Sequence, residues 1–206
     1  MTYFYHIPKW IQAFYPNRIW RLPADEQVPK IYLSFDDGPI PEVTPWVLEQ
    51  LKAYQAKATF FCIGDNVRKH PQIFEQVRAA GHSIGNHTFN HLNGKNHSKE
   101  IYLENTLACE EYFKSGLFRP PYGRIKKAQA QSLSRAGYKI VMWDVLSGDW
   151  DQNQSPYDCL TAIKRYTKPG SIIVFHDSLK AWPRLQNVLP EVLAHYQNLG
   201  YQFAAI

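Results

Sequence analysis

The feature that most constrains the fold of this chain is a regular alternation. From residue 30 to the end, short runs rich in β-branched and aromatic residues take turns with longer stretches of helical character. Strands are expected at 30–35, 57–63, 81–86, 117–120, 138–143, 171–175 and 201–206. Helices are expected near 43–55, 66–80, 98–114, 125–136, 156–167 and 183–199. Thr44 followed by Pro45 reads as an N-cap with Pro at the first helical position, and Gly81, Gly137 and Gly200 follow helix ends. Strands separated by helix-length crossovers predict a parallel sheet. With 206 residues, 45% of them hydrophobic, and no low-complexity linker, the chain suffices for one sizeable core and a single domain.

The unusual polar residues fall at the C-terminal ends of these strands. Asp36 and Asp37 end the first, and His87 and His91 follow the third. Arg119 ends the fourth, Asp149 and Trp150 follow the fifth, and His176 with Asp177 ends the sixth. An open doubly wound sheet brings only a few neighbouring strand ends to its ligand crevice. Closing the sheet brings them all around one mouth. The expected architecture is therefore α/β, a distorted or incomplete (β/α) barrel with about seven parallel strands.

Within that frame S-F-D-D-G-P, residues 34–39, is costly, because adjacent carboxylates repel unless a cation or a partner offsets them. In G-N-H-T-F-N-H, residues 85–91, His87 and His91 are four apart, a spacing that aims both imidazoles one way over a helical turn. Adding a carboxylate gives a His₂Asp set, three ligands that leave positions for water and substrate. One of Asp36 and Asp37 then binds the cation, and the other is held charged beside it.

Bulk properties exclude other classes. The net charge of +5 comes from 23 Lys and Arg that are scattered rather than clustered, so nucleic acid is not expected as a partner. Cys62, Cys109 and Cys159 lack C-x-x-C spacing and read as buried small hydrophobes. No segment approaches the roughly 20 apolar residues of a membrane span. The first residues show no unbroken apolar h-region, and a cytoplasmic location is expected. Residues 1–29 fall outside the alternation. Trp10, Ile11, Phe14 and Tyr15 share one face of a short helix and are expected to pack on the barrel. A monomer is expected.

S-F-D-D-G-P, H-T-F-N-H, R-P-P-Y-G, D-W and V-F-H, in this order, resemble the five motifs of the polysaccharide deacetylases, the NodB-homology group or carbohydrate esterase family four. The similarity runs from about residue 30 to 200, so 30–206 is read as the NodB-homology domain and 1–29 as a separate segment. The resemblance implies that Asp37, His87 and His91 hold a divalent metal, usually zinc, with cobalt, nickel or manganese as alternatives. It implies that Asp36 is the general base for the attacking water and that Arg119 holds Asp36 in place. The backbone N–H of Tyr122 would serve the oxyanion, and its side chain would reach the sugar. His176 would protonate the leaving amine with Asp149 as its charge partner, while Trp150 and Val174 would line the acetyl-methyl slot. The implied activity is metal-dependent removal of N-linked acetyl groups from a carbohydrate substrate, chitooligosaccharide- or peptidoglycan-like. The alternative is an O-acetyl esterase acting on a polysaccharide such as xylan.

Two positions depart from the family pattern. The fourth motif is commonly D-x-x-D-W, and Leu146 stands where its first acid belongs, with Asp144 two residues earlier as the candidate to compensate. The fifth usually begins with Leu, and Val174 replaces it.

Overall fold

A computed structural model describes residues 4–24 and 27–206. After α1 (Lys9–Ala13) and β1 (Arg18–Ile19), the chain alternates as its sequence suggests, through β2 (Lys30–Asp36), α2 (Thr44–Ala53), β3 (Ala58–Cys62), α3 (Gly64–Lys69) and α4 (Pro71–Ala79). It continues with β4 (Ser83–Asn86), α5 (Lys99–Leu107), β5 (Leu117–Phe118), α6 (Lys127–Arg135), β6 (Lys139–Val141) and β7 (Val145–Leu146). The last elements are α7 (Pro156–Tyr166), β8 (Ile172–His176), α8 (Trp182–Asn198) and β9 (Gln202–Phe203).

All named strands pair in parallel, in the order β1-β6-β5-β4-β3-β2-β8-β7, with β9 added beside the start of β2. Strands β6 and β7 are consecutive pieces of one stretch: the first pairs with β5 and the second with β8. The two ends of the sheet thus meet on one bent segment, and the result is a distorted (β/α) barrel. Where that segment bends, the N-terminal residues supply partners. Met142 donates its N–H to the Ile19 carbonyl at 2.7 Å, Ile7 donates to the Asp144 carbonyl at 3.0 Å, and Leu22 donates to the Gly170 carbonyl at 2.9 Å.

Strand β2 shows how the two faces divide. Ile31, Leu33 and Phe35 belong to the large cluster shared with Val47 and Leu51 of α2, Ile163 of α7 and Leu185 and Val188 of α8. The alternate residues follow the strand's period of two to the other face, where Tyr32 joins Phe61, Val141 and Ile172 in a smaller cluster. Ser34 and Asp36 continue that second face upward to the mouth.

Several elements differ from the expectation. The helix expected over 66–80 is two, because Pro71 drives His70 out of helical geometry (φ −129°, ψ 53°) and starts α4 afresh. Thr44 is the first helical residue rather than the N-cap, and its hydroxyl bonds Asp177 instead. The 201–206 strand contracts to Gln202–Phe203 and lies off the main path. In the N-terminal segment Ile11 packs against the cluster of Trp20, Phe118 and Ile140. Trp10, Phe14 and Tyr15 face solvent, since five residues of helix offer only one side to the barrel. Among the described residues no helix is long and apolar enough to cross a membrane. All three cysteines are free and buried.

Candidate active site

The mouth of the barrel collects side chains from six strand-to-helix junctions. The neighbouring carboxylates Asp36 and Asp37 are parted by backbone geometry. Asp36 is extended within β2, whereas Asp37 takes φ 87°, in the left-handed region that a non-glycine residue enters only at a cost. Thr88 (φ 63°), His91 (φ 55°) and Tyr122 (φ 59°) share that region, so among the described residues four of the five non-glycine residues with positive φ lie in this neighbourhood. Strained backbone held in place by its surroundings is characteristic of functional sites.

His87 and His91 do not lie on a helix, as their spacing of four suggests. They belong to an irregular loop after β4, and the left-handed turns at Thr88 and His91 bring the rings together, with centroids 5.1 Å apart. Asn105 steadies this loop by accepting from the N–H groups of Phe89 and Asn90, both at 3.0 Å.

Asp37, His87 and His91 each offer one ligand atom within 4.8 Å of the others. Nδ1 of His87 lies 2.8 Å from the Arg119 carbonyl, an acceptor only, so Nδ1 carries the proton and Nε2 carries the lone pair. That lone pair faces Asp37 Oδ1 at 3.9 Å and Asp36 Oδ2 at 4.0 Å. Burial lowers the His87 pKa to about 4, which keeps the ring neutral at ordinary pH. Asp37 Oδ1 is buried without a hydrogen-bond partner, although His91 Nε2 stands 3.2 Å away. Burial opposes ionisation of Asp37, yet His91, His176 and His87 hold its pKa below the usual carboxylate range. A charged oxygen and an imidazole lone pair turned toward one another fit a shared cation.

Arg119 is fully buried and each contact has a purpose. One Nη donates to Asp36 Oδ1 at 2.6 Å and to Ser34 Oγ at 2.8 Å; the other donates to the Met142 carbonyl at 3.0 Å. Its guanidinium lies 4.0 Å from the centroid of Phe61, which roofs the smaller cluster. On the far side of the mouth Asp149 grips His176 twice: Oδ1 lies 2.8 Å from the ring Nδ1, and Oδ2 accepts the backbone N–H at 2.8 Å. Burial alone would lower the His176 pKa, but Asp149 raises it to about 9. Trp150 packs on that ring with centroids 5.0 Å apart, and Tyr122 on His91 at 4.6 Å. Val174, two residues below His176 on the same face of β8, is buried.

Asp144 does not replace the acid absent at Leu146. It accepts from Arg21, Ser171 Oγ and the Ile172 N–H at 2.9–3.0 Å, at the start of β8. His176 is four residues further on, about 13 Å at ~3.3 Å per residue. Asp144 fastens the N-terminal segment to the barrel seam, where His6 also meets the Asp144 carbonyl at 3.0 Å. Four residues of the site's framework escape the sequence reading in this role: Ser34, Asn66, Asp177 and Arg184. Ser34 had a signal, lying two before Asp36 on the same strand face. Arg184 had none; it comes from α8 to donate to the Asp149 carbonyl at 2.5 Å.

A parallel (β/α) barrel whose mouth joins a His–His–Asp cluster, an arginine-clamped carboxylate and an aspartate-charged histidine defines a hydrolase. The family model for polysaccharide deacetylases matches residues 24–141. A peptidoglycan-N-acetylglucosamine deacetylase of Bacillus cereus is 35% identical over 194 residues, 91% of this chain and 90% of the relative. A chitooligosaccharide deacetylase of Azorhizobium caulinodans is 37% identical over 154 residues, 71% of this chain and 73% of the relative. The crystal structure of a peptidoglycan N-acetylglucosamine deacetylase in complex with 4-naphthalen-1-yl-N-oxidanyl-benzamide superposes with a TM-score of 0.84 at 27% identity, covering 97% of this chain and 95% of that one. The chain belongs to the polysaccharide deacetylase family.

Proposed function

We propose that this enzyme hydrolyses N-linked acetyl groups on N-acetylglucosamine-containing glycans, with Asp36 as base and His176 as acid beside a divalent metal held by Asp37, His87 and His91. Two ring nitrogens and one carboxylate oxygen suit zinc and leave coordination positions open. When bound, such an ion polarises the acetyl carbonyl and lowers the pKa of water from about 15.7 toward about 7.

The protein's own groups supply the rest. Arg119 fixes one oxygen of Asp36 and leaves Oδ2 toward the ligand cluster, ready to take the proton of the attacking water. The N–H of Tyr122 donates to the developing oxyanion. His176, held cationic by Asp149, gives its proton to the departing nitrogen. Trp150 and Val174 bound the slot for the acetyl methyl.

The observation that carries this reading is the buried, unpartnered Asp37 Oδ1 facing two imidazole nitrogens, with a clamped base on one side and a charged acid on the other. An imidazolium acid favours an amide over an ester, because an amine leaves only after protonation. Acetate release should be measured on chitooligosaccharides, peptidoglycan fragments and acetylated xylan, with and without chelator and added zinc. Release from the first two, abolished by chelator and restored by zinc, is the expected result. Release from xylan alone would favour the esterase.

A further inference from the structure

The left-handed turn at Asp37 raises the question of what holds it. The peptide unit that joins Asp37 to Gly38 is gripped at both ends. Its carbonyl oxygen, on Asp37, accepts from Asn66 Nδ2 at 2.8 Å. Its N–H, on Gly38, donates to Asp177 Oδ1 at 3.0 Å. Asn66 belongs to α3, after β3, and Asp177 follows the end of β8, so the grips come from the two strands that flank β2.

The orientation of a peptide plane sets ψ of the residue before it and φ of the residue after it. Fixing both ends of the 37–38 unit therefore fixes how Asp37 leaves β2, and with it the direction of its carboxylate. A flipped plane would turn the carbonyl oxygen of Asp37 toward the oxygens of Asp177 and forfeit both hydrogen bonds. Asp177 is itself fully buried and held by hydrogen bonds. Its Oδ2 accepts from Thr44 Oγ1 at 2.6 Å, Thr44 Oγ1 accepts from the Ile40 N–H at 2.8 Å, and its own N–H donates to the Asp36 carbonyl at 3.1 Å. Gly38 completes the fit, since a Cβ there would lie 1.9 Å from Asp177 Oδ2.

We infer that Asn66 and Asp177 are positioning residues that preset Asp37 for the cation by clamping the 37–38 peptide from both sides. The inference rests on the metal site proposed above, and it separates two tasks: these residues govern how tightly the ion is held, not the proton transfers once it is bound. Partners behind a metal ligand typically contribute about 10–100-fold in affinity.

The test uses the whole 206-residue chain stripped of metal, titrated with zinc against a chromophoric chelator, alongside thermal melting of the same samples. N66A and D177A are expected to weaken zinc binding about tenfold or more, with kcat at saturating zinc within about threefold of the parent. D177N retains an oxygen for the Gly38 N–H and should bind zinc nearly as the parent does. Should D177A fail to fold, N66A, at a half-buried position on a short surface helix, decides alone. Zinc affinities of N66A and folded D177A within twofold of the parent would overturn the clamp while leaving the metal site intact. No zinc binding by the parent protein would instead overturn the metal site, and the clamp with it.

Discussion

Asp36 and Asp37 are consecutive in the chain, yet their carboxylates are committed to different partners: Asp36 Oδ1 receives Arg119 at 2.6 Å, and Asp37 Oδ1 stands 3.2 Å from His91 Nε2. Side chains of successive strand residues point to opposite faces, so two neighbours on a continuing strand would not meet at one mouth. The left-handed step at Asp37 ends that alternation and turns the second carboxylate toward the histidines. One dipeptide thereby presents two carboxylates in two different environments, as the proposed base and metal ligand require.

The division predicts different failures for the two isosteric variants. Given the proposed metal site, D36N should still bind zinc at one equivalent per chain while acetate release falls about 10²–10⁴-fold, the usual contribution of a general base. D37N should lose zinc itself, because an amide is a far weaker ligand than a carboxylate. Metal analysis of the purified variants beside acetate assays tests this. Zinc lost from D36N and kept by D37N would reverse the assignment.

Arg119 is predicted to matter to the fold as well as to the chemistry. It is fully buried, and truncation leaves Asp36, Ser34 and the Met142 carbonyl without their donor. Removing one partner of a buried ion pair costs about 3–5 kcal/mol. R119A should therefore lower the unfolding free energy obtained from urea denaturation by an amount of that order, and the urea midpoint with it. R119K, which keeps the charge but not the fork, should fall between. A midpoint unchanged in R119A would mean that water satisfies the site and that the clamp is not structural.

How much of this was legible in the sequence follows from the physics of each residue. The strand-to-helix alternation and the polar residues at strand ends were legible because burial imposes a period that the chain must carry. Pro71 was also legible in principle, since proline restricts its predecessor. The seam was not, because two-residue strands such as Arg18–Ile19 and Val145–Leu146 are too short to show any period. The path between His87 and His91 was misread as helical; spacing gives distance along the chain, whereas the left-handed turns at Thr88 and His91 depend on tertiary contacts. Asn66 and Asp177 were invisible in their role, since they act on a backbone peptide and leave no mark on the residues they hold.

The pH dependence follows from His176. Burial disfavours its charged form, but Asp149 overcomes that and raises the pKa to about 9. In the proposed mechanism the protonated ring is the active form, so its contribution is present below that pKa and lost as pH rises through it. The alkaline limb of kcat/KM is therefore expected above the ordinary histidine pKa. In D149N the nearest and strongest opposing carboxylate is gone and burial is countered only by the more distant Asp37 and Asp36, so the limb should move to lower pH by at least about one unit. An alkaline limb that stays in place in D149N would assign it to another group.

As the proposed acid, the same residue should discriminate between substrates by their leaving groups. An amine cannot depart as its anion in water, so amide cleavage requires a proton delivered to nitrogen before the C–N bond breaks. A 4-nitrophenolate departs readily without one. H176A should therefore lose about 10²–10⁴-fold on an N-acetylated chitooligosaccharide, the usual contribution of a general acid, while hydrolysis of 4-nitrophenyl acetate falls far less. The aromatic ester still needs Asp36 to take the proton from water, so D36N should depress both reactions together. Measuring the two substrates across wild type, D36N and H176A separates the acid from the base in one experiment. Equal losses on both substrates in H176A would show that the ring orients the acetyl group, or helps hold the ion, instead of serving the departing nitrogen.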